Sequence, residues 1–214
     1  MNPRTRRWLV AVGVFGVIGW RVGLVRFWIF SAICLGAAAY MLAIVDPTLM
    51  KERLKPAGRS ADAGALAAIR LIAAVQFVVT LADIGGLHFS DSVPGWLHAA
   101  GLAIMAAAFL LLARSMAANR FFSTAIRIQN DRGHQVVSRG PYALVRHPGY
   151  AAMIVAIPAA AIGLGSWWGF VLALLYSAGI ARRALIEDRF LRQNLPGYSD
   201  YAARVRYRLV PGLV

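Results

Sequence analysis

Apolar residues in this chain gather in long runs instead of recurring with the period of an amphipathic helix, and that distribution restricts the fold more than any other feature. Roughly 20 apolar residues cross the hydrocarbon core of a bilayer. Six segments approach that length: about Trp8 to Trp20, Val25 to Val45, Ala65 to Ile84, Trp96 to Ala113, Tyr150 to Leu164 and Trp167 to Ala184. The first and fifth are short enough to tilt, re-enter or insert only half-way. The expected fold is therefore an all-α integral membrane bundle of five to six transmembrane helices.

Charge fixes the expected orientation. The net charge of +14 would suggest nucleic acid in a soluble protein, yet no basic stripe interleaves with aromatics on a soluble module. The cations instead cluster between alternate runs. Arg4, Arg6 and Arg7 precede the first, and Lys51, Arg53, Lys55 and Arg59 follow the second. Arg114, Arg120, Arg127, Arg132, Arg139 and Arg146 border the fourth and fifth, and seven more arginines stand at the end of the sixth or follow it. The connection from Gly85 to Gly95 has no Lys or Arg, and Gly163 to Ser166 has no charge. This is the positive-inside pattern, and it places both termini and both large polar segments in the cytosol. Arg21 and Arg26 stand on the wrong side of the scheme. Met1 to Arg7 and the run behind it mimic a signal peptide, but without a small-residue cleavage site they read as an uncleaved anchor. Cys34 is the single cysteine and lies inside a run, so disulfides and cysteine metal clusters are excluded.

The chain divides into a front part of membrane helices, residues 1–113, and a back part, 114–214, that holds nearly all the unusual polar residues. Asp46 to Lys55 reads either as a short interfacial helix, with Pro47 in its first turn and Leu49, Met50, Arg53 and Leu54 at the headgroup boundary, or as a solvated loop. Gly13, Gly16, Gly19 and Gly23 make the first run a small-residue packing face. Asn119 to Asn130 is expected to form a surface-lying helix or strand. Asp131 to His134 and Arg139 to Tyr142 read as turns, with a short extended piece between them. Only Gly165-Ser166, flanked by Trp167 and Trp168, separates the last two runs, which makes them a tight helical hairpin. Its two cytosolic ends then meet, bringing Arg146, His147 and Tyr150 to Glu187 and Asp188 across about 40 residues of sequence.

Those five residues are the candidates for chemistry. Pro148 biases His147 away from helical angles and places it at a helix N-terminus, where unpaired N–H groups attract anions. Arg146 and His147 there form an anion-receptive corner, or else two basic residues reaching for phospholipid headgroups. Adjacent carboxylates on a helix point about 100° apart, so Glu187 and Asp188 cannot both face one point. Either they form helical ion pairs, Arg183 with Glu187 and Asp188 with Arg192, or one accepts hydrogen bonds from a ligand ammonium or ribose. The four histidines and the carboxylates have no metal-ligand spacing, and no dinucleotide, P-loop or nucleophile-elbow motif is present.

Gly140-Pro141-Tyr142, Val145-Arg146-His147-Pro148-Gly149-Tyr150, Glu187-Asp188-Arg189-Phe190-Leu191 and Gly197-Tyr198 with Tyr201 together resemble the isoprenylcysteine carboxyl methyltransferase family and the related phospholipid N-methyltransferases. The likeness covers roughly residues 114 to 214, and Asp188 stands where the family usually has a second Glu. It implies S-adenosylmethionine as methyl donor, in a cofactor pocket at the cytosolic face of the last helices. His134, Gly140, Pro141, Tyr142, Arg146, His147, Pro148 and Tyr150 would form one wall, and Glu187 and Asp188 the other, with Arg146 and Glu187 as the catalytic pair. It further implies a lipid-like or small hydrophobic acceptor with a carboxylate, thiol or amine head, met within the bilayer of a bacterial inner membrane. Oligomeric state is left open. The competing expectation is a membrane reductase of the sterol-reductase type that uses a nicotinamide cofactor.

Overall fold

The computed structural model describes residues 25–58, 60 and 62–212. The run Trp8 to Trp20, its glycine face, Arg21 and Arg59 lie outside the described residues. Seven α-helices follow in order: α1 Val25–Ile44, α2 Pro47–Leu54, α3 Ala63–Ala82, α4 Gly95–Ala118, α5 Pro148–Leu164, α6 Trp167–Asn194 and α7 Tyr198–Arg204. One π-helical turn, Asp83–Leu87, continues α3. Four helices (α1, α3 with its π turn, α4 and α6) are long and apolar enough to cross a membrane, and α5 is a shorter apolar helix of 17 residues. The described part is thus an all-helical membrane bundle, and the hairpin expected from Gly165-Ser166 is present.

Close approach of backbones sets the centre of the bundle. The α4–α5 interface is its most extensive contact. A Cβ at Gly101 would lie 2.6 Å from the Gly163 nitrogen and 2.7 Å from the Ala159 carbonyl oxygen. Small residues at such a crossing let two helices touch along their main chains, which is how helices associate where lipid removes the hydrophobic drive. Phe27, Phe30, Leu102, Met105 and Leu164 fill the space beside that crossing. Pro158, inside α5, cannot donate to the Ile154 carbonyl one turn earlier. Ser177 of α6 supplies the missing donor, its hydroxyl bonding that oxygen at 2.8 Å.

The hairpin turns through Gly165 at φ 94°, a left-handed conformation that favours glycine. Ser166 caps α6 by accepting from the Gly169 N–H at 2.9 Å and donates its own proton to Asp83 at 2.6 Å. Ser90 donates to the same carboxylate oxygen at 2.5 Å, so the π turn of α3 is stapled to the α5–α6 hairpin at one end of the bundle. Arg26 lies at this end too, 3.3 Å from the His98 ring, away from the large polar segments. The opposite, polar end carries everything that follows.

At that end Asp46 to Lys55 is a helix, not a loop. Pro47 occupies its first turn, and Asp46 accepts from the Thr48 N–H at 2.7 Å. Leu49 is not at a headgroup boundary as expected: it is fully buried against Met116, whereas Leu54 is exposed. The expectation of a regular element between Asn119 and Asn130 fails as well. The stretch is irregular and ends in a 3₁₀ turn, Asn130–Arg132. Several of its polar groups bond sideways to α2 and the loop after it. Ser123 donates to Glu52 at 3.1 Å, Thr124 to the Arg53 carbonyl at 3.2 Å, and the Ile126 N–H to Ser60 at 2.9 Å. Arg127 locks the arrangement, paired with Glu52 at 3.1 Å and Asp131 at 2.7 Å.

The glycine crossing makes a direct prediction. Gly101→Leu and Gly163→Leu each overpack a contact that has no room, and each should lower stability by about 1–3 kcal/mol. Gly36→Leu, at a position with nothing within 4 Å, should not. Thermal unfolding of the detergent-purified variants, followed by tryptophan fluorescence, measures the difference.

Candidate functional site

Pro148 begins α5 and leaves His147 as its N-cap residue at φ −128°, outside the helix as its neighbour requires. The two N–H groups just before the helix already have carbonyl partners. Arg146 donates its N–H to the Tyr207 carbonyl at 2.9 Å and His147 to the Arg208 carbonyl at 2.8 Å. The segment after α7 therefore lies along the entry to α5 and takes up the two N–H groups that precede the helix. The Arg146 side chain, 1% exposed, is engaged in the same way. Its Nη1 donates to the Val205 and Arg206 carbonyls, both at 2.7 Å, and its Nε to Asp188 at 2.8 Å.

Asp188 is the centre of this arrangement and is almost wholly buried. Besides Arg146 it meets the His147 ring at 3.2 Å, the Tyr198 hydroxyl at 3.0 Å, Arg192 at 3.2 Å and Arg208 at 3.3 Å. One carboxylate thus joins α5, α6, α7 and the segment beyond. Burial, followed by the adjacent Asp188 charge, holds the Tyr198 hydroxyl well above the usual phenol range, so it stays a donor.

Glu187, the next residue, points elsewhere, as the 100° helical step demands. It accepts from the Tyr150 hydroxyl at 2.5 Å, and its other oxygen has no protein partner among the described residues. The two ion pairs at helical spacing separate here: Asp188 with Arg192 forms, whereas Arg183 turns from Glu187 to Asp62 at 2.9 Å. Arg183 also donates to the Tyr150 oxygen at 3.0 Å, which leaves the Tyr150 proton for Glu187.

Glu187 and Tyr150 face a cleft with a void of about 450 Å³, counting the part open to solvent. His134, Tyr142, Arg146, His147, Tyr150 and Glu187, all singled out in the sequence, line it. Gly140, Pro141, Pro148 and Asp188 do not. Gly140, at φ 60°, and Pro141 shape the 3₁₀ turn that delivers Tyr142, Pro148 starts α5, and Asp188 lies behind the wall. Sequence reasoning missed Asn119, Phe122 and Val136, which come from the irregular segments, and it quoted Tyr198 and Tyr201 without assigning them to the site. Three-residue spacing puts both tyrosines on one face of α7, the signal that was available. Tyr201 donates to the Tyr142 carbonyl at 2.7 Å and so ties α7 to the opposite wall.

His134 lies over the Phe121 ring, centroids 4.6 Å apart, and its Nδ1 accepts from the Gln129 N–H at 3.3 Å. Burial, then the charges of Arg127 and Arg132, push its pKa down to about 4. The neutral ring keeps its proton on Nε2, a neutral donor at the cleft wall. Taken together, the cleft offers one half-satisfied carboxylate, a neutral imidazole and several aromatic faces. That donor set suits a cationic ligand with a flat ring and hydroxyl groups.

Residues 96–196 match the family described as phospholipid methyltransferase. The nickel-cobalt-cadmium resistance protein NccN of Alcaligenes xylosoxydans xylosoxydans is 31% identical over 135 residues, covering 61% of this chain and 58% of that protein. The cobalt-zinc-cadmium resistance protein CzcN of Cupriavidus metallidurans is 33% identical over 85 residues, 37% of this chain and 38% of that protein. The matched part is thus less than two thirds of the length of either relative.

Two measurements test this geometry. Asp188→Asn leaves the Arg146 guanidinium buried without a counter-charge and should cost about 3–5 kcal/mol of stability, read as a lowered unfolding midpoint. For His134 the folded pKa lies below the free value of 6.5. The unfolded chain therefore binds more protons between pH 6.5 and about 4, and stability falls as the pH is lowered through that window. His134→Gln should remove this component, so unfolding midpoints of the variant should fall less steeply than those of the wild type across the window.

Proposed function

We propose that this chain, whose residues 96–196 match the phospholipid methyltransferase family, that of the isoprenylcysteine carboxyl methyltransferase-like membrane enzymes, transfers a methyl group from S-adenosylmethionine to a lipid-like acceptor at the cytosolic face of a bacterial inner membrane. The single observation that carries the donor assignment is Glu187, a carboxylate with one oxygen unpartnered, set among aromatic rings in a cleft at the polar end of the bundle. The family match favours methyl transfer over the hydride chemistry of a sterol-type reductase.

In this reading Glu187 accepts hydrogen bonds from the donor's ammonium or ribose hydroxyls, and His134 offers its Nε2 proton to an acceptor on the adenine or the carboxylate. Tyr142 and Phe122 provide faces for the ring. Arg146 and His147 act chiefly through Asp188, holding the entry of α5 and the Tyr198 hydroxyl against the cleft, while Gly140, Pro141 and Pro148 set the backbone. When bound, the sulfonium donor supplies an electrophilic methyl carbon, and its displacement requires in-line alignment and exclusion of water more than acid–base work. Tyr150 meets the first need by fixing the Glu187 carboxylate. Phe122, Leu191 and Leu195 on the cleft walls serve the second. The positive-inside distribution of Lys and Arg supports a cytosolic cleft.

Calorimetry on detergent-purified protein tests the reading. S-adenosylmethionine should bind, and a nicotinamide dinucleotide should not. Glu187→Gln should weaken binding about ten- to a hundredfold, the worth of one hydrogen bond to a charged group. Arg204→Ala, on α7 and away from the cleft walls, should bind as the wild type does. Full affinity in Glu187→Gln, with folding intact, would refute the assignment of the cleft.

A further inference from the structure

Gln135, Val136 and Val137 stand between two spaces. One is the cleft that Glu187 faces, and the other is a hollow of about 660 Å³, counting its open part. Gly133 and Gly140, at φ 62° and 60°, flank this segment with left-handed turns. Between them, the N–H groups of residues 135–139 have no protein acceptor among the described residues. Val136 packs with Leu195, Tyr198 and Tyr201, and that apolar contact anchors the middle of the segment. One wall of the cleft is therefore held by side-chain packing, with no backbone ladder behind it. Few hydrogen bonds and glycine at both ends are the marks of a segment that opens locally at low cost.

The hollow has the chemistry of an anion site beside a membrane. Arg120 and Arg139 line it, and no Asp or Glu does. Neither arginine makes an ion pair among the described residues. The Arg139 side chain and the Ser138 hydroxyl have no hydrogen-bond partner among them either. Arg120 lies over the Phe121 ring at 4.9 Å and donates to the Arg132 carbonyl at 2.6 Å, which fixes its guanidinium. Ala118, also in the lining, is the last residue of α4, so the hollow lies where a membrane-crossing helix ends. Arg114 and Leu111, one and two turns before Ala118, share its face of the helix, and both are exposed. That face presents an apolar side chain first and cations after it.

We propose that this hollow binds the headgroup of an anionic phospholipid from the leaflet at the polar end, and that its occupancy braces the wall of the methyl-donor cleft. The phosphate accepts from Arg120 and Arg139, whose planar guanidiniums suit it, and an acyl chain follows Leu111 along α4. A zwitterionic headgroup brings an ammonium as well, for which the lining offers no carboxylate. The lipid is a ligand here and not a methyl acceptor, because residues 135–137 stand between it and the cleft. Bracing follows from the shared wall. A phosphate that bridges Arg120 to Arg139 ties together two stretches that share no hydrogen bond of their own. A segment ordered by one ligand costs less to order for the next, which couples the two sites without any change of shape.

Only the effect on the cleft rests on the proposed methyl-donor reading, so lipid binding is measured first without the donor. The full chain in neutral maltoside micelles is titrated calorimetrically with dioctanoyl phosphatidylglycerol, dioctanoyl phosphatidylcholine and glycerol phosphate in turn. Phosphatidylglycerol should bind, and the other two should be at least about tenfold weaker. Arg120→Gln/Arg139→Gln should weaken phosphatidylglycerol binding about ten- to a hundredfold. Arg139→Gln alone breaks no hydrogen bond within the protein and should still cost about tenfold. Lys51→Gln/Lys55→Gln removes as much charge from the same end and should bind as the wild type does. Equal binding of phosphatidylcholine, unchanged binding in Arg139→Gln, or equal loss in the lysine variant overturns the site. Equal binding of glycerol phosphate overturns the lipid as its occupant. In hydrogen exchange, the amides of residues 135–139 should slow when phosphatidylglycerol is bound, and unchanged exchange overturns the bracing. Saturating phosphatidylglycerol should then tighten S-adenosylmethionine binding at least about fivefold in the wild type and not in Arg139→Gln. Unchanged affinity for the methyl donor overturns the coupling. A protein that binds the lipid and protects the segment, yet does not bind S-adenosylmethionine, overturns the donor cleft and leaves the lipid site standing.

Discussion

A buried carboxylate at the end of a membrane bundle is the constraint on which the rest of the polar architecture depends. Asp188 is surrounded by Arg146, His147, Tyr198, Arg192 and Arg208. Removing so many polar groups from water is unfavourable unless each finds its partner. Here each does, because four chain segments supply donors to one pair of oxygens. The network leaves Glu187, one residue away, to the cleft. Two neighbouring carboxylates thus divide the labour by the angle of a helix step: one holds the walls and the other faces what lies between them.

Much of this was legible from local rules. The helical hairpin followed from two residues between two apolar runs, and the meeting of the fifth and sixth runs' polar ends followed from the hairpin. The divergence of Glu187 and Asp188 needed only helix geometry. Where the reading stopped, the missing information was non-local. Arg146 read as a cation at an open helix end, but Val205 and Arg206, about sixty residues on, occupy its Nη1. Asn119 to Asn130 had the composition of a surface element, and nothing in the segment itself announced that Glu52, Arg53 and Ser60 would take its hydrogen bonds.

Arg70 shows a different limit. A run judged by its average hydropathy absorbs one charge without losing its character, so the residue passed unremarked within an apolar helix. Its neighbours are visible only in the fold, where Arg53 and Arg183 line one space with it between α3, α5 and α6. Phe122 was hidden for the opposite reason, being one aromatic among many. Its position was settled by Gly149, where a Cβ would lie 2.6 Å from the Phe122 ring. The start of α5 accepts that ring only because the glycine is bare.

The pairing of Arg146 and His147 with Tyr207 and Arg208 has a consequence for biosynthesis. All the membrane helices described here precede Tyr207 in the chain, so the strap that completes the entry to α5 is made only after the helices it joins. A chain ending after α6 would hold every membrane helix described here yet lack the Tyr198 and Tyr201 hydroxyls and the Val205, Arg206, Tyr207 and Arg208 carbonyls that hold its cleft together. The order of the chain thus makes the site the last part of the bundle to be completed.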